Sequence, residues 1–137
     1  MPHDARQVED TRAWLTKART DLRAGEGDLA LAPPIPEDAM FHAQQAAEKA
    51  LKAFLTWHDE PFRKTHDLRE LGRQCVRIDP GLDAVCSRAE VLTPFAWQFR
   101  YPDEPSSPSM QEAGEALALA REVYDAILAR LPDDVRP

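Results

Sequence analysis

The chain has 137 residues, 43% of them hydrophobic, and a formal net charge of −7. This is enough apolar material for one domain with a real core, which excludes a disordered chain, and no apolar run approaches the ~20 residues of a membrane span. The acidic balance argues against broad electrostatic attachment to nucleic acid.

The opening residues, MPHDARQVED, are charged and lack an apolar segment, so no secretory signal is expected. A first helix is predicted from about Ala5 to Ala24. Val8, Leu15, Ala18 and Leu22 recur at helical spacing with Trp14 alongside, and Gly25 and Gly27 are expected to end it. Pro33, Pro34 and Pro36 then enforce an extended connection.

The next stretch, Met40 to Trp57, is the centre of the chain. It holds no Gly or Pro and consists mostly of strong helix formers. At 100° per residue its apolar arc covers more than half the circumference, so it must be packed from two directions, within a bundle or by a second subunit. Gln44 and Glu48 fall inside that arc and need polar partners. These are either a neighbouring helix or dimer rim, or a ligand pocket. His42, Gln45, Lys49, Lys52 and Thr56 lie on the opposite face, which is expected to be solvated.

The loop DEPFRKTH leads into a third helix at Asp67, where Asp67 and Glu70 have the spacing of a capping box. From Pro61 to Ile78 five bases (Arg63, Lys64, Arg69, Arg73, Arg77) face two acids (Asp67, Glu70), so either a local basic patch or a solvated helix face is implied. Asp79-Pro80 reads as a stop followed by a start. A fourth helix is predicted from Pro80 through Leu92, with a kink or break at Pro94. PDEPSSPS reads as a loop. Ser109 and Glu112 form another capping box, ahead of a final helix to about Leu131 with Ala113, Leu117, Ala120, Tyr124 and Ile127 as its core stripe. The expectation is one all-α domain over residues 1–137, a bundle of about five helices with its core from about 5 to 131.

Phosphate loops, nucleophile signatures and paired-His metal motifs are absent from the sequence, so no metal site and no cofactor are expected. Cys75 and Cys86, without a close-spaced partner motif, read as reduced core thiols of a cytoplasmic protein. Three places suggest chemistry. Arg63-Lys64-Thr65-His66-Asp67 puts two cations and an imidazole ahead of a helix N-terminus, which suits an anion. Arg100 and Tyr101, in FRYPD, suit phosphate contact and base stacking, although Arg100 could instead pair with Glu48. Gln44 and Glu48 are the third.

The blocks FHAQQAAEKALKAFL, KTHDLREL and FRYPD, in this order and at these separations, resemble the HEPN (higher eukaryote and prokaryote nucleotide-binding) domain family over roughly Val8 to Leu131. The resemblance implies an up-and-down all-α bundle and a frequent homodimer. It also implies prokaryotic proteins encoded beside a minimal nucleotidyltransferase in toxin–antitoxin-like pairs. Some relatives are associated with nucleotide binding; others are metal-independent ribonucleases carrying Arg, four to six residues, then His. This chain departs from that motif: the nearest pair, Arg63 and His66, has two residues between. The expectation is therefore a non-enzymatic module for a nucleotide or a nucleotidyltransferase partner. Gln44, Glu48, Lys64, His66, Asp67, Arg100 and Tyr101 would form its cleft. A ribonuclease toxin using Arg63, His66 and Arg100, and a structural scaffold, are the alternatives.

Overall fold

The computed structural model describes residues 3–103 and 107–137, and among these it is entirely helical. Five α-helices, α1 (Ala5–Ala30), α2 (Pro36–Trp57), α3 (Leu68–Ile78), α4 (Asp83–Ala89) and α5 (Met110–Leu128), are joined by short 3₁₀ segments and loops, and no strand interrupts them. Part of the loop between α4 and α5, residues 104–106, lies outside the described residues.

The breadth of the apolar arc on α2 dictates the architecture. Thirteen of its 22 residues are buried, and α1, α5 and α3 all pack against it. Pro36 occupies the first turn, where a missing N–H costs nothing, and Glu37 and Asp38 face the positive end of the helix dipole. The small residues Ala43, Ala46, Ala47 and Ala50 are fully buried and let the neighbouring helices approach. Larger side chains, among them Leu15, Leu22, Leu51, Phe54, Leu71 and Ile127, fill the single core that results. α1 and α2 form an antiparallel hairpin. At one end Gln7 donates to the Thr56 and Trp57 carbonyls, and nearer the other end Asp21 meets His42 and Lys49.

Three local expectations change. Gly25 and Gly27 do not end α1, which continues to Ala30 before Leu31 turns extended. Gly25 is buried, and a Cβ there would stand 2.5 Å from Leu117 Cδ2 and 3.4 Å from the Ala39 carbonyl oxygen. A side chain there would press on the end of Leu117 from α5. Gly27 faces open space and is simply tolerated. The fourth helix is not continuous from Pro80. A 3₁₀ turn (Pro80–Leu82), the two-turn α4 and a second 3₁₀ segment (Glu90–Ala96) containing Pro94 take its place. Finally, the lysine-bearing face of α2 is not solvated. Lys52 is buried, and His42 and Lys49 are tied to Asp21 of α1.

The Ser109–Glu112 capping box forms with both of its reciprocal bonds, and α5 buries the expected stripe. Cys75 and Cys86 are free, buried thiols, and burial raises both above the ordinary thiol range, Cys86 to about 11. Such thiols are inert toward oxidants and electrophiles. Among the described residues no helix is long and apolar enough to cross a membrane.

Candidate functional site

The side chain of Glu48 is 4% exposed, and a carboxylate so deep in a helical core must be surrounded by donors. Three are supplied. Lys52, one turn further along α2, places Nζ 2.9 Å from Oε2. His66 Nδ1 lies 2.7 Å from Oε1, and Gln44 Nε2 approaches the same oxygen at 3.2 Å. Gln44, fully buried, also donates to the His66 carbonyl at 3.0 Å, and its own carbonyl accepts from Gln45 at 2.7 Å. The loop between α2 and α3 is thus pinned to α2 by both the ring and the backbone of His66.

Lys52 completes the balance. Its ammonium sits 5.5 Å from the centroid of Trp14 and 5.7 Å from that of Phe62, two rings that themselves meet edge to face. The aromatic faces and Glu48 together stand in for the water that a buried cation loses. Helical angle alone puts Lys52 in solvent and gives no sign of Trp14 and Phe62 as its partners. The i, i+4 spacing of Glu48 and Lys52 is the signal that the sequence does carry.

The consequence for His66 is chemical. A carboxylate has no hydrogen to give, so Nδ1 carries the proton in this bond and Nε2 is the nitrogen left to accept or deliver one. His66 is 59% exposed in its side chain while its anchor is almost wholly buried. A half-exposed imidazole with a fixed tautomer and a fixed ring plane is suited to hydrogen bonding, or to proton transfer, at Nε2.

The basic stretch follows His66 in the chain. Arg69, Arg73 and Arg77 recur every four residues along α3, all exposed, and with Arg63 they line a groove of about 740 Å³ that also takes in Asp67 and Glu70. Four guanidinium groups against two carboxylates leave a surplus of positive charge on a molecule whose overall charge is −7. Arg63 is engaged: its guanidinium grips Glu70 through bonds of 2.6, 3.1 and 3.2 Å. Glu70 therefore does not close a capping box with Asp67. Asp67 caps α3 alone, accepting from the Arg69 N–H at 3.0 Å, while the Leu68 N–H goes to Thr93 Oγ1 at 3.1 Å. Those two amides are spoken for, so an anion in this groove would be met by the side chains of Arg69, Arg73 and Arg77 rather than by the start of α3.

The remaining sequence candidates are spread further. Lys64 is exposed at a bend in the loop. Arg100 does not pair with Glu48. Its guanidinium lies over the Phe41 ring at 4.4 Å and reaches the Ala96 carbonyl at 3.5 Å. Phe41 and Glu48 are two turns apart on α2, so the Arg100 and His66 contacts sit roughly 10 Å apart along that helix. Tyr101 is 66% exposed just beyond.

The sequence profile of the HEPN domain matches residues 11–131. This chain belongs to the HEPN domain family. A solved structure, the crystal structure of TT1696 from Thermus thermophilus, is 32% identical with a TM-score of 0.72. The similarity covers 88% of this chain and 98% of that one. None of the curated proteins is significantly similar in sequence. This HEPN chain thus keeps the all-helical fold of its family.

Proposed function

We propose that this HEPN domain binds a phosphate-bearing nucleotide on the face formed by His66 and the arginine row of α3. The observation that carries the reading is the groove lined by Arg69, Arg73 and Arg77, which takes in Asp67, the residue after the His66 that Glu48 holds at 2.7 Å. Guanidinium groups match phosphate oxygens in geometry as well as charge. Lys64, at the bend of the same loop, adds a further cation. Gln44, Glu48 and Lys52 act behind this face by fixing the His66 loop, and Asp67 by starting α3. Arg100 and Tyr101 extend the surface past Phe41, where a base could stack. Calorimetric titration with ATP, GTP and a short single-stranded RNA tests the reading. Binding is expected to weaken at least tenfold in the Arg69→Ala/Arg73→Ala double variant, with its thermal midpoint unchanged. Equal affinity in wild type and double variant would remove the groove from the function.

A second reading, cleavage of RNA without a metal, is favoured by the same fixed tautomer. His66 Nε2 would take the 2′-hydroxyl proton as that oxygen bonds to phosphorus; the P–O5′ bond breaks, water protonates the leaving 5′-oxygen, and an arginine of α3 steadies the phosphate. Its mark is RNA cleavage that survives a chelator and is lost in His66→Ala. A homodimer and a nucleotidyltransferase partner belong to the same proposal. Support comes from the family and from the exposed side chains of Val91, Trp97 and Tyr101 next to the α4–α5 loop. Sedimentation of the purified protein at two concentrations tests the dimer.

A further inference from the structure

A second polar cluster lies where α1 hands over to α2, roughly 120° round α2 from Glu48. Asp28 near the end of α1, with Asp38 and His42 one turn apart on α2, brings one donor atom each to within 4.8 Å of one another. His42 Nε2 stands 3.3 Å from Asp38 Oδ2. The other ring nitrogen is already held, because Nδ1 lies 2.8 Å from Asp21 Oδ1 and Lys49 Nζ takes the second oxygen of Asp21 at 2.6 Å. With the hydrogen on Nδ1, a neutral His42 presents the lone pair of Nε2 to the two aspartates. Proteins orient metal-binding imidazoles in this way, through a carboxylate behind the ring.

Charge and hydrogen bonding point in the same direction. Lys49 offsets Asp21, whereas among the described residues neither Asp28 nor Asp38 has a Lys or Arg at ion-pair distance. Glu37 adds another negative charge nearby. Asp28 Oδ2 is buried with no N–H or hydroxyl donor to it among the described residues, and only a proton shared with Asp38 could satisfy it. Native structures seldom leave a carboxylate oxygen so placed beside a second carboxylate. Burial, together with Asp38, pushes Asp28 up to about 6.

From this geometry we infer that Asp28, Asp38 and His42 form a binding site for one divalent transition-metal ion, with Asp21 and Lys49 acting as positioning residues for His42. Two carboxylate oxygens and one imidazole suit Zn²⁺ or Mn²⁺. The ligands come from both sides of the Leu31–Ile35 connection, so the ion would staple the end of α1 to the start of α2. Asp21 also raises His42 above the ordinary histidine range through its hydrogen bond, so a proton and the ion compete for Nε2. The rival arrangement is an imidazolium lodged among the aspartates that takes up no metal.

The test is calorimetric titration of chelator-treated, full-length protein with ZnCl₂ and, separately, MnCl₂. Saturable uptake of one equivalent of either ion is expected, weakened at least tenfold in Asp28→Asn and in His42→Gln. X-ray absorption of the metal-loaded protein should report oxygen and nitrogen ligands without sulfur. Circular dichroism checks that the variants fold; if either does not, the wild-type stoichiometry and absorption spectrum decide alone. Absence of saturable binding, equal affinity in wild type and both folded variants, or sulfur ligation would overturn the assignment.

Discussion

Around Glu48 a buried carboxylate meets a lysine, an imidazole and an amide, whereas around Asp28 a buried carboxylate oxygen meets a second carboxylate and an imidazole. Both clusters use α2 as a wall, and both contain a histidine pinned at Nδ1 by an acid. The difference is closure. The Glu48 cluster balances its charges within the chain and turns one ring nitrogen outward; the Asp28 cluster keeps a surplus of negative charge and an oxygen with no N–H or hydroxyl donor among the described residues. The first resembles a finished support for a surface site, and the second an assembly that lacks a cation.

Breaking the closed cluster should have the largest effect. Glu48→Ala strands the Lys52 ammonium in the core and deprives Gln44 and His66 of an acceptor. A loss of about 3–5 kcal/mol is expected in urea unfolding, the usual consequence of orphaning a buried charge. Replacing both charges together, Glu48→Leu with Lys52→Met, should cost much less than Glu48→Ala alone, because no unpaired charge remains. If the double variant lost as much as the single one, packing rather than charge balance would explain the cluster.

The open cluster should respond in the opposite direction. In metal-free protein, Asp28→Asn removes a like charge and supplies an amide donor to Asp38, so a gain of about 1 kcal/mol is expected at pH 8. A loss there would mean that Asp28 is already satisfied. The smallest effect concerns the neighbouring end of α1. Gly27→Ala, in open space, should stabilise the protein by roughly 0.5–1 kcal/mol through helix propensity, while Gly25→Ala must displace Leu117 and should destabilise it. Thermal midpoints of the two variants moving apart in sign would separate a glycine that is tolerated from one that faces Leu117.

The same contrast explains what is legible in the sequence. Helical periodicity, proline positions and the Ser109–Glu112 box are local, and they lead to the bundle and most of its boundaries. The need for partners around Gln44 and Glu48 is also legible, since polar groups inside an apolar arc must be satisfied. Which partners they find is not. Arg100 is a reasonable candidate on charge, but its guanidinium lies on Phe41, and the loop before α3 brings His66 to Glu48 instead. Lys52 falls on the polar side of α2 by angle, yet a long aliphatic stem lets its ammonium bend back to Glu48 beneath Trp14 and Phe62. Gly25 and Gly27 read as a stop because propensity is local, whereas the contact that a side chain at position 25 would make is with Leu117 of α5, far along the chain. Asp38 and His42 share the i, i+4 spacing of one helix face, but Asp28 joins them only because the Leu31–Ile35 connection folds α2 back along α1.

The most direct test of the central claim is a histidine NMR titration. With ¹⁵N-labelled histidine, the Nε2 and Hε1 signals of His66 should move saturably as ATP is added, while those of His42 and His58 stay in place. The movement should disappear in the Arg69→Ala/Arg73→Ala variant. Saturable ATP binding that leaves His66 unmoved would contradict the proposed site, because the ligand would then occupy a surface that Glu48 does not organise.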